Sequence, residues 1–152
     1  PSLLDQPESA VVNIGSAFGS IPFAGFAAYS AAKAGLHSFS EALRRELADS
    51  RVHVLHVSPR AIDTPLNSPA VVALNAHLHN ASDSADRVAA EVVRLLEKDA
   101  RSAVLGWPER FFAWLNGVAP RLVDRGLRSK LPTIKRHAAP ATGSVAHSIS
   151  EH

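Results

Sequence analysis

The chain has 152 residues, a net charge of +2 and 46% hydrophobic residues, which suffices for one domain with a packed core. It contains no cysteine, and this excludes disulfides, thiolate nucleophiles and cysteine-ligated metal sites. No run of about 18 apolar residues occurs, which excludes a membrane-spanning helix, and we expect a cytoplasmic protein.

Hydrophobic patterns predict alternating strands and helices along the first two thirds of the chain. Short apolar or β-branched runs predict three strands, at residues 10–14, 51–57 and 102–105. Helical periodicity predicts two helices between them, at residues 27–49 and 84–99. Because this alternation is typical of a parallel sheet with crossover helices, we predict an α/β fold.

Two amphipathic helices are predicted beyond Pro108, over residues 109–119 and 120–131. The residues from 133 to 152 are mostly small, polar and aperiodic, and this pattern predicts a disordered tail. We therefore expect residues 1–132 to form the folded unit.

The predicted C-terminal helices combine aromatic and basic residues. Residues 101–137 hold eight Lys and Arg against two Asp and Glu, a net +6, whereas residues 1–100 hold eight against eleven. We interpret the basic excess as a solvated face and predict no nucleic-acid partner. The aromatic residues suit a lid over an apolar substrate or a core, and a helix lying on a membrane surface is the alternative.

A loop of small residues follows the first predicted strand, as in phosphate-binding sites. Gly15 and Gly19 begin a G-x-x-x-G-x-G pattern, but Ile21 occupies its last position and a proline follows. No acidic residue ends a strand about 20 residues further on, where one would bind a ribose. The sequence therefore argues against phosphate binding at this loop.

The same segment carries a serine, a tyrosine and a lysine at spacings that favour acid–base chemistry. Tyr29 and Lys33 are four residues apart in a predicted helix, so their side chains share one face. A lysine ammonium beside a phenol stabilises the phenolate, which suits proton exchange with a carbonyl or alcohol oxygen. Ser16 follows the preceding strand, where its hydroxyl can donate a second hydrogen bond to that oxygen. Together these residues predict a catalytic site.

Two other kinds of site fit the sequence less well. A hydrolase serine usually lies in a G-x-S-x-G turn, and Ser16 lacks the second glycine. His53 and His56 would point to opposite faces of a strand. No Asp or Glu forms a cluster with this pair, or with His77 and His79. We therefore expect no metal site and a structural or surface role for these histidines.

At these motifs the sequence resembles the short-chain dehydrogenase/reductase family. VVNIGSAFG, at residues 11–19, is similar to the active-site strand of that family. YSAAK, at residues 29–33, is similar to its tyrosine–lysine motif, and VSPRAIDT, at residues 57–64, to its cofactor-side loop. The resemblance covers roughly residues 8–130 and implies the C-terminal half of a Rossmann-like, doubly wound parallel sheet with C-terminal helices.

The resemblance implies a role for each matching residue. Tyr29 would be the proton donor or acceptor, Lys33 would tune it and hold the nicotinamide ribose, and Ser16 would polarise the substrate carbonyl. The cofactor would also contact Pro59, Ile62 and Thr64. NADH or NADPH would supply the hydride, and an apolar small-molecule carbonyl and its secondary alcohol would be interconverted. The full-length parent would be a homo-oligomer.

The chain departs from the family pattern before Ser16. Nothing there corresponds to the glycine-rich cofactor loop, to the residue that selects NAD or NADP, or to the family's active-site asparagine. Together with the absence of methionine, this indicates a fragment, and the choice between NAD and NADP stays open. The alternative function is a truncated, non-catalytic remnant that acts as a pairing module through an exposed sheet edge.

A second departure lies at Arg60, where the family usually has a glycine after the proline. An arginine takes steric room close to the expected nicotinamide, and it is strained if the position needs a positive φ. We interpret it as a tolerated substitution or as drift in a disabled copy. The alternative is a side chain that points outward or contacts a cofactor phosphate.

Overall fold

A computed structural model of the chain describes residues 2–64, 69–77 and 81–138. The strands in these ranges are β1 (Ser9–Ile14), β2 (Val52–Ser58), β3 (Ala61–Asp63), β4 (Ser82–Ser84) and β5 (Ser102–Val104). The helices are α1 (Ala17–Ser20), α2 (Ala27–Glu46), α3 (Pro69–His77), α4 (Ala85–Glu97), α5 (Trp107–Val118), α6 (Pro120–Arg128) and α7 (Leu131–Ala138). None of these described helices is long and apolar enough to cross a membrane.

Three strands form a parallel sheet in the order β1-β2-β5. β1 and β2 pair along their lengths, from Ser9 opposite Val52 to Ile14 opposite Val57. α2 crosses from β1 to β2, and α4 lies on the crossover from β2 to β5. The predicted α/β fold with a parallel sheet is confirmed.

The core is built around β2, whose side chains alternate between two helices. Leu55 and Val57 are fully buried and pack with Val88 and Leu95 of α4. His56 lies between them in sequence and points to the other face, where its ring contacts His37 of α2. A central strand of a parallel sheet is covered by helices on both faces, which explains why nearly every position of β2 is buried.

Several short elements are present that the hydrophobic pattern does not predict. α1 is a single turn that begins directly after Ser16, and β3 and β4 pair as a separate two-stranded parallel sheet. α3 lies between these two strands. An element of three or four residues contains too few positions for a period, and the pairing of β3 with β4 joins segments that are distant in sequence.

The ordered helices extend past the predicted limit at residue 132. α7 covers Leu131–Ala138, so the residues 133–138 of the predicted tail are helical. Ile134 of α7 is buried in a small cluster with Phe23. Because one buried residue is enough to hold so short a helix, its sequence shows no helical repeat of apolar residues. The rest of the predicted tail, residues 139–152, lies outside the described residues.

Candidate active site

The six residues that the sequence predicts for the site all line one cavity of about 930 Å³. Ser16 contributes from the start of α1, and Tyr29 and Lys33 contribute from α2. The remaining three follow the end of β2: Pro59, Ile62 and Thr64. Their catalytic and cofactor-binding roles stay predictions.

The topology of the sheet explains why these residues meet. β1 and β2 are parallel, so the loops that follow Ile14 and Ser58 leave the sheet at the same edge. The amide of Ala17 donates to the carbonyl of Pro59 at 2.9 Å, which ties the two loops together. Ligands of open parallel sheets bind at this carboxyl edge.

Ser16 is held by the turn that it caps. Its Oγ accepts a hydrogen bond from the amide of Phe18 at 3.2 Å, as an N-cap serine does. A hydroxyl that accepts in this way keeps its own hydrogen for another oxygen. Gly15 lets the backbone approach β2 here, because an added Cβ would lie 2.4 Å from Nε2 of His56. Ser16 is therefore fixed in place at the cavity, and the contact with Phe18 does not use its hydroxyl hydrogen.

Lys33 is anchored beside Tyr29. Its Nζ donates to the carbonyl of Ile14 at 3.0 Å and lies 5.7 Å from the centroid of the Tyr29 ring. Tyr29 is 45% exposed, so its ring is accessible to a small molecule. An ammonium group thus lies beside the phenol ring, and both side chains line the cavity.

An aromatic wall surrounds Tyr29. Phe18 and Phe26 each contact its ring edge-on, with centroids 6.4 Å apart, and Phe18 stacks on Phe23 at 5.0 Å. Such contacts fix the orientation of a ring. The sequence analysis does not predict this wall, so it is a finding of the structure. Three phenylalanines within nine residues were the available signal.

Arg60 neither points outward nor is free for a cofactor phosphate. Its guanidinium binds both carboxylate oxygens of Asp83 in β4 at 2.8 Å, and the side chains are only 16% and 5% exposed. The hydrogen bond from Arg60 holds the pKa of Asp83 below its usual value. Asp83 also pairs with Ile62 in the small sheet. Arg60 therefore fastens the loop that follows β2.

His53 and His56 point to opposite faces of β2. The expectation that no carboxylate lies near this pair is wrong. Nδ1 of His53 lies 2.7 Å from Oδ1 of Asp99, and Nε2 lies 2.9 Å from the carbonyl of Ala100. Asp99 follows α4, far from His53 in sequence, so no local spacing indicates the contact. Among the described residues no group of three side chains could hold a metal ion, and His79 lies outside them.

His56 is a buried imidazole behind the site. It is 2% exposed, and neither ring nitrogen has a hydrogen-bond partner within the described part of the chain. The pKa of His56 is lowered from 6.5 to about 4, mainly by burial and in addition by the charges of His37, Arg44 and Lys33, while Glu41 opposes the shift. The folded protein therefore keeps this ring neutral near pH 6, where the unfolded chain protonates it.

We expect His56→Leu to reduce the loss of stability in mild acid. Protonation of the unfolded state should cost the wild type about 2 kcal/mol of unfolding free energy between pH 7 and pH 5. Leucine cannot take up that proton, so the variant should be less sensitive to pH. Urea unfolding at both pH values measures the difference. His77→Gln, on an exposed helix end, should keep the wild-type pH dependence, and the same dependence in His56→Leu would contradict the prediction.

The sequence matches known oxidoreductases. The family profile described as short chain dehydrogenase matches residues 1–74. The uncharacterised oxidoreductase YxnA of Bacillus subtilis (strain 168) is 32% identical over 134 residues, which cover 85% of this chain and 37% of that protein.

Solved short-chain dehydrogenases share the fold. One from Burkholderia cenocepacia J2315, in complex with NADP, has a TM-score of 0.65 at 23% identity. The match covers 79% of this chain and 47% of the Burkholderia chain. One from Sphingobium yanoikuyae, in complex with NADPH, has a TM-score of 0.57 at 27% identity, and the match covers 76% of this chain and 44% of the Sphingobium chain. The chain thus spans less than half the length of these proteins. Its sequence and its Rossmann-like fold agree, and the chain belongs to the short-chain dehydrogenase/reductase family.

Proposed function

We propose that the polypeptide is an NAD(P)-dependent oxidoreductase that interconverts a carbonyl and a secondary alcohol. One observation carries the proposal: Ser16, Tyr29 and Lys33 line the same cavity at the carboxyl edge of the parallel sheet. Membership of the oxidoreductase family supports this reaction class, and the three residue types supply the proton chemistry that it needs.

In the reductive direction, Tyr29 donates its phenolic proton to the carbonyl oxygen, which becomes the hydroxyl of the alcohol. Lys33 stabilises the phenolate that remains, with its Nζ 5.7 Å from the ring centroid. Ser16 donates a hydrogen bond to the same oxygen while negative charge develops there. A nicotinamide cofactor, when bound, supplies the hydride. In the oxidative direction the phenolate of Tyr29 accepts the proton of the alcohol.

The cavity suits the nicotinamide and ribose part of such a cofactor. Lys33 offers a charged donor for ribose hydroxyls, and the loop after β2 offers apolar Pro59 and Ile62 with the hydroxyl of Thr64. The related proteins from Burkholderia and Sphingobium bind NADP and NADPH. No glycine-rich dinucleotide fingerprint occurs in the 152 residues, so these residues leave the choice between NAD and NADP open.

The cavity wall favours an apolar substrate. Phe18, Phe23 and Phe26 line one side, and Phe112 of α5 lines it as well. Aromatic side chains with few charged groups bind hydrocarbon better than polar metabolites. The oligomeric state and the cytoplasmic location expected from the sequence stay predictions.

A non-catalytic pairing module is the second candidate, and the position of β1 on the outside of the sheet favours it. β1 is an outer strand of the order β1-β2-β5 and pairs with β2 alone among the described strands. An unpaired edge offers backbone donors and acceptors to a strand of another chain. Without a glycine-rich loop, this module would bind dinucleotides weakly.

Titration of the chain with NADH and NADPH, followed by nucleotide fluorescence, distinguishes the two candidates. Micromolar binding would support the oxidoreductase and contradict the remnant. Lys33→Gln should then weaken binding by about tenfold or more, because a charge-assisted hydrogen bond is lost. Lys135→Gln, at an exposed position of α7, should leave the affinity unchanged. No binding at millimolar nucleotide would support the pairing module, and unchanged affinity in Lys33→Gln would contradict the proposed cofactor site.

A further inference from the structure

Helix α5 exposes an apolar face to solvent. Trp107, Phe111, Trp114 and Val118 recur at the spacing i, i+4, i+7 and i+11, so they lie along one face. These four residues, the aromatic stripe, are between 44% and 75% exposed. Contiguous exposed apolar side chains are typical of a site of interaction.

The opposite face of α5 meets the rest of the protein. Phe112 and Leu115 line the cavity, which accords with the lid that the sequence predicts. Asn116 donates from Nδ2 to the carbonyl of Ser20 at 3.0 Å. The helix thus carries apolar side chains on both faces, and its two indole rings point towards solvent, where an ordinary surface helix is polar. Packing against the described residues does not explain the aromatic stripe.

Helix α6 adds positive charge beside the stripe. A single residue, Ala119, separates α5 from α6, and the two helices pack together. Arg121, Arg125 and Arg128 recur at i, i+4 and i+7, on the face opposite the buried Val123. Within the described ranges, none of the three arginines forms an ion pair. They are available to bind anions.

We propose that α5 and α6 bind the surface of an anionic phospholipid bilayer, with the aromatic stripe among the headgroups and the three arginines near lipid phosphates. Indole and phenyl rings favour the boundary between water and hydrocarbon, and basic residues add attraction to anionic lipid. Residues 101–137 carry eight Lys and Arg against two Asp and Glu. A second copy would bring the same positive charge to a symmetric interface, so charge complementarity favours the lipid. The proposal is independent of the catalytic one.

Vesicle flotation of the 152-residue polypeptide tests the proposal. Binding is expected to vesicles of phosphatidylcholine with phosphatidylglycerol, with weaker binding to phosphatidylcholine alone and a loss in high salt. Trp107 and Trp114 are the two tryptophans of the chain, and both belong to the aromatic stripe. Their fluorescence emission should therefore move to shorter wavelength when anionic vesicles are added.

Two sets of substitutions separate the apolar and the electrostatic contributions. Phe111→Ser with Val118→Ser should weaken partitioning to anionic vesicles by about tenfold or more. The matched control is Phe39→Ser on α2, at a side chain that is 55% exposed, and it should leave partitioning unchanged. Replacing the three arginines of α6 by glutamine should weaken it by about a hundredfold, at about fivefold for each charge.

Three results would overturn the proposal. The first is the absence of flotation with anionic vesicles. The second is flotation that persists after the stripe substitutions, since the aromatic stripe would then take no part. The third is a dimer in sedimentation that the stripe substitutions dissociate while vesicles leave tryptophan emission unchanged, which would assign this face to a second copy.

Discussion

Tyr29→Phe should lower kcat by about a hundredfold to ten-thousandfold, the range typical for loss of a general acid. The substitution removes the hydroxyl and keeps the ring, so the edge-on contacts with Phe18 and Phe26 at 6.4 Å should persist. The cavity should therefore keep its shape and its affinity for the nucleotide. The measurement is steady-state reduction of apolar ketones by the protein, with NADH and NADPH compared.

The control for Tyr29→Phe is Phe112, a residue of α5 that lines the same cavity. Phe112→Leu reduces apolar contact without touching the proposed proton donor, so it should raise KM for an apolar ketone more than it lowers kcat. Thermal unfolding of both variants checks that the fold is kept. Wild-type turnover in Tyr29→Phe would exclude Tyr29 as the proton donor and leave the chemistry of the cavity to other residues.

The candidate site was predictable because its geometry is local. Tyr29 and Lys33 share a helix face through a spacing of four, and Ser16 follows the end of a strand. The other predicted cluster follows β2, and a parallel pairing of β1 with β2 is enough to bring both loops to one edge. Local spacing and strand order therefore place these residues in one cavity without any knowledge of side-chain packing.

The features that were not predicted depend on contacts between distant parts of the chain. The ion pairs of Arg60 with Asp83 and of His53 with Asp99 join residues whose proximity only the folded chain creates. Periodicity identifies an apolar face of a helix, but it does not say whether that face is buried. In α5, Phe112 and Leu115 line the cavity, but the second apolar face, which includes Trp107, is exposed.

The ion pair between Arg60 and Asp83 should contribute strongly to stability. Arg60→Leu leaves a carboxylate that is 5% exposed without its bidentate partner and should lower the unfolding free energy by about 3 kcal/mol. Arg87, whose Nη1 lies 3.1 Å from Asp83, is largely exposed and should compensate only in part. Arg60 also fastens the loop that carries Ile62 and Thr64, so KM for the nucleotide should rise.

Urea unfolding with two further variants separates this pair from an ordinary surface pair. Arg94→Leu breaks the contact with Glu91 on the exposed face of α4 and should change stability little. The double variant Arg60→Leu/Asp83→Leu removes the unpaired charge and should recover much of the loss. Because the pKa of Asp83 is depressed, the stabilisation is present above the ordinary aspartate value of 3.8 and disappears as the pH falls through the lower folded pKa. Wild-type and Arg60→Leu stabilities should therefore converge in acid, and a constant difference across that range would assign the effect of Arg60 to packing rather than to charge.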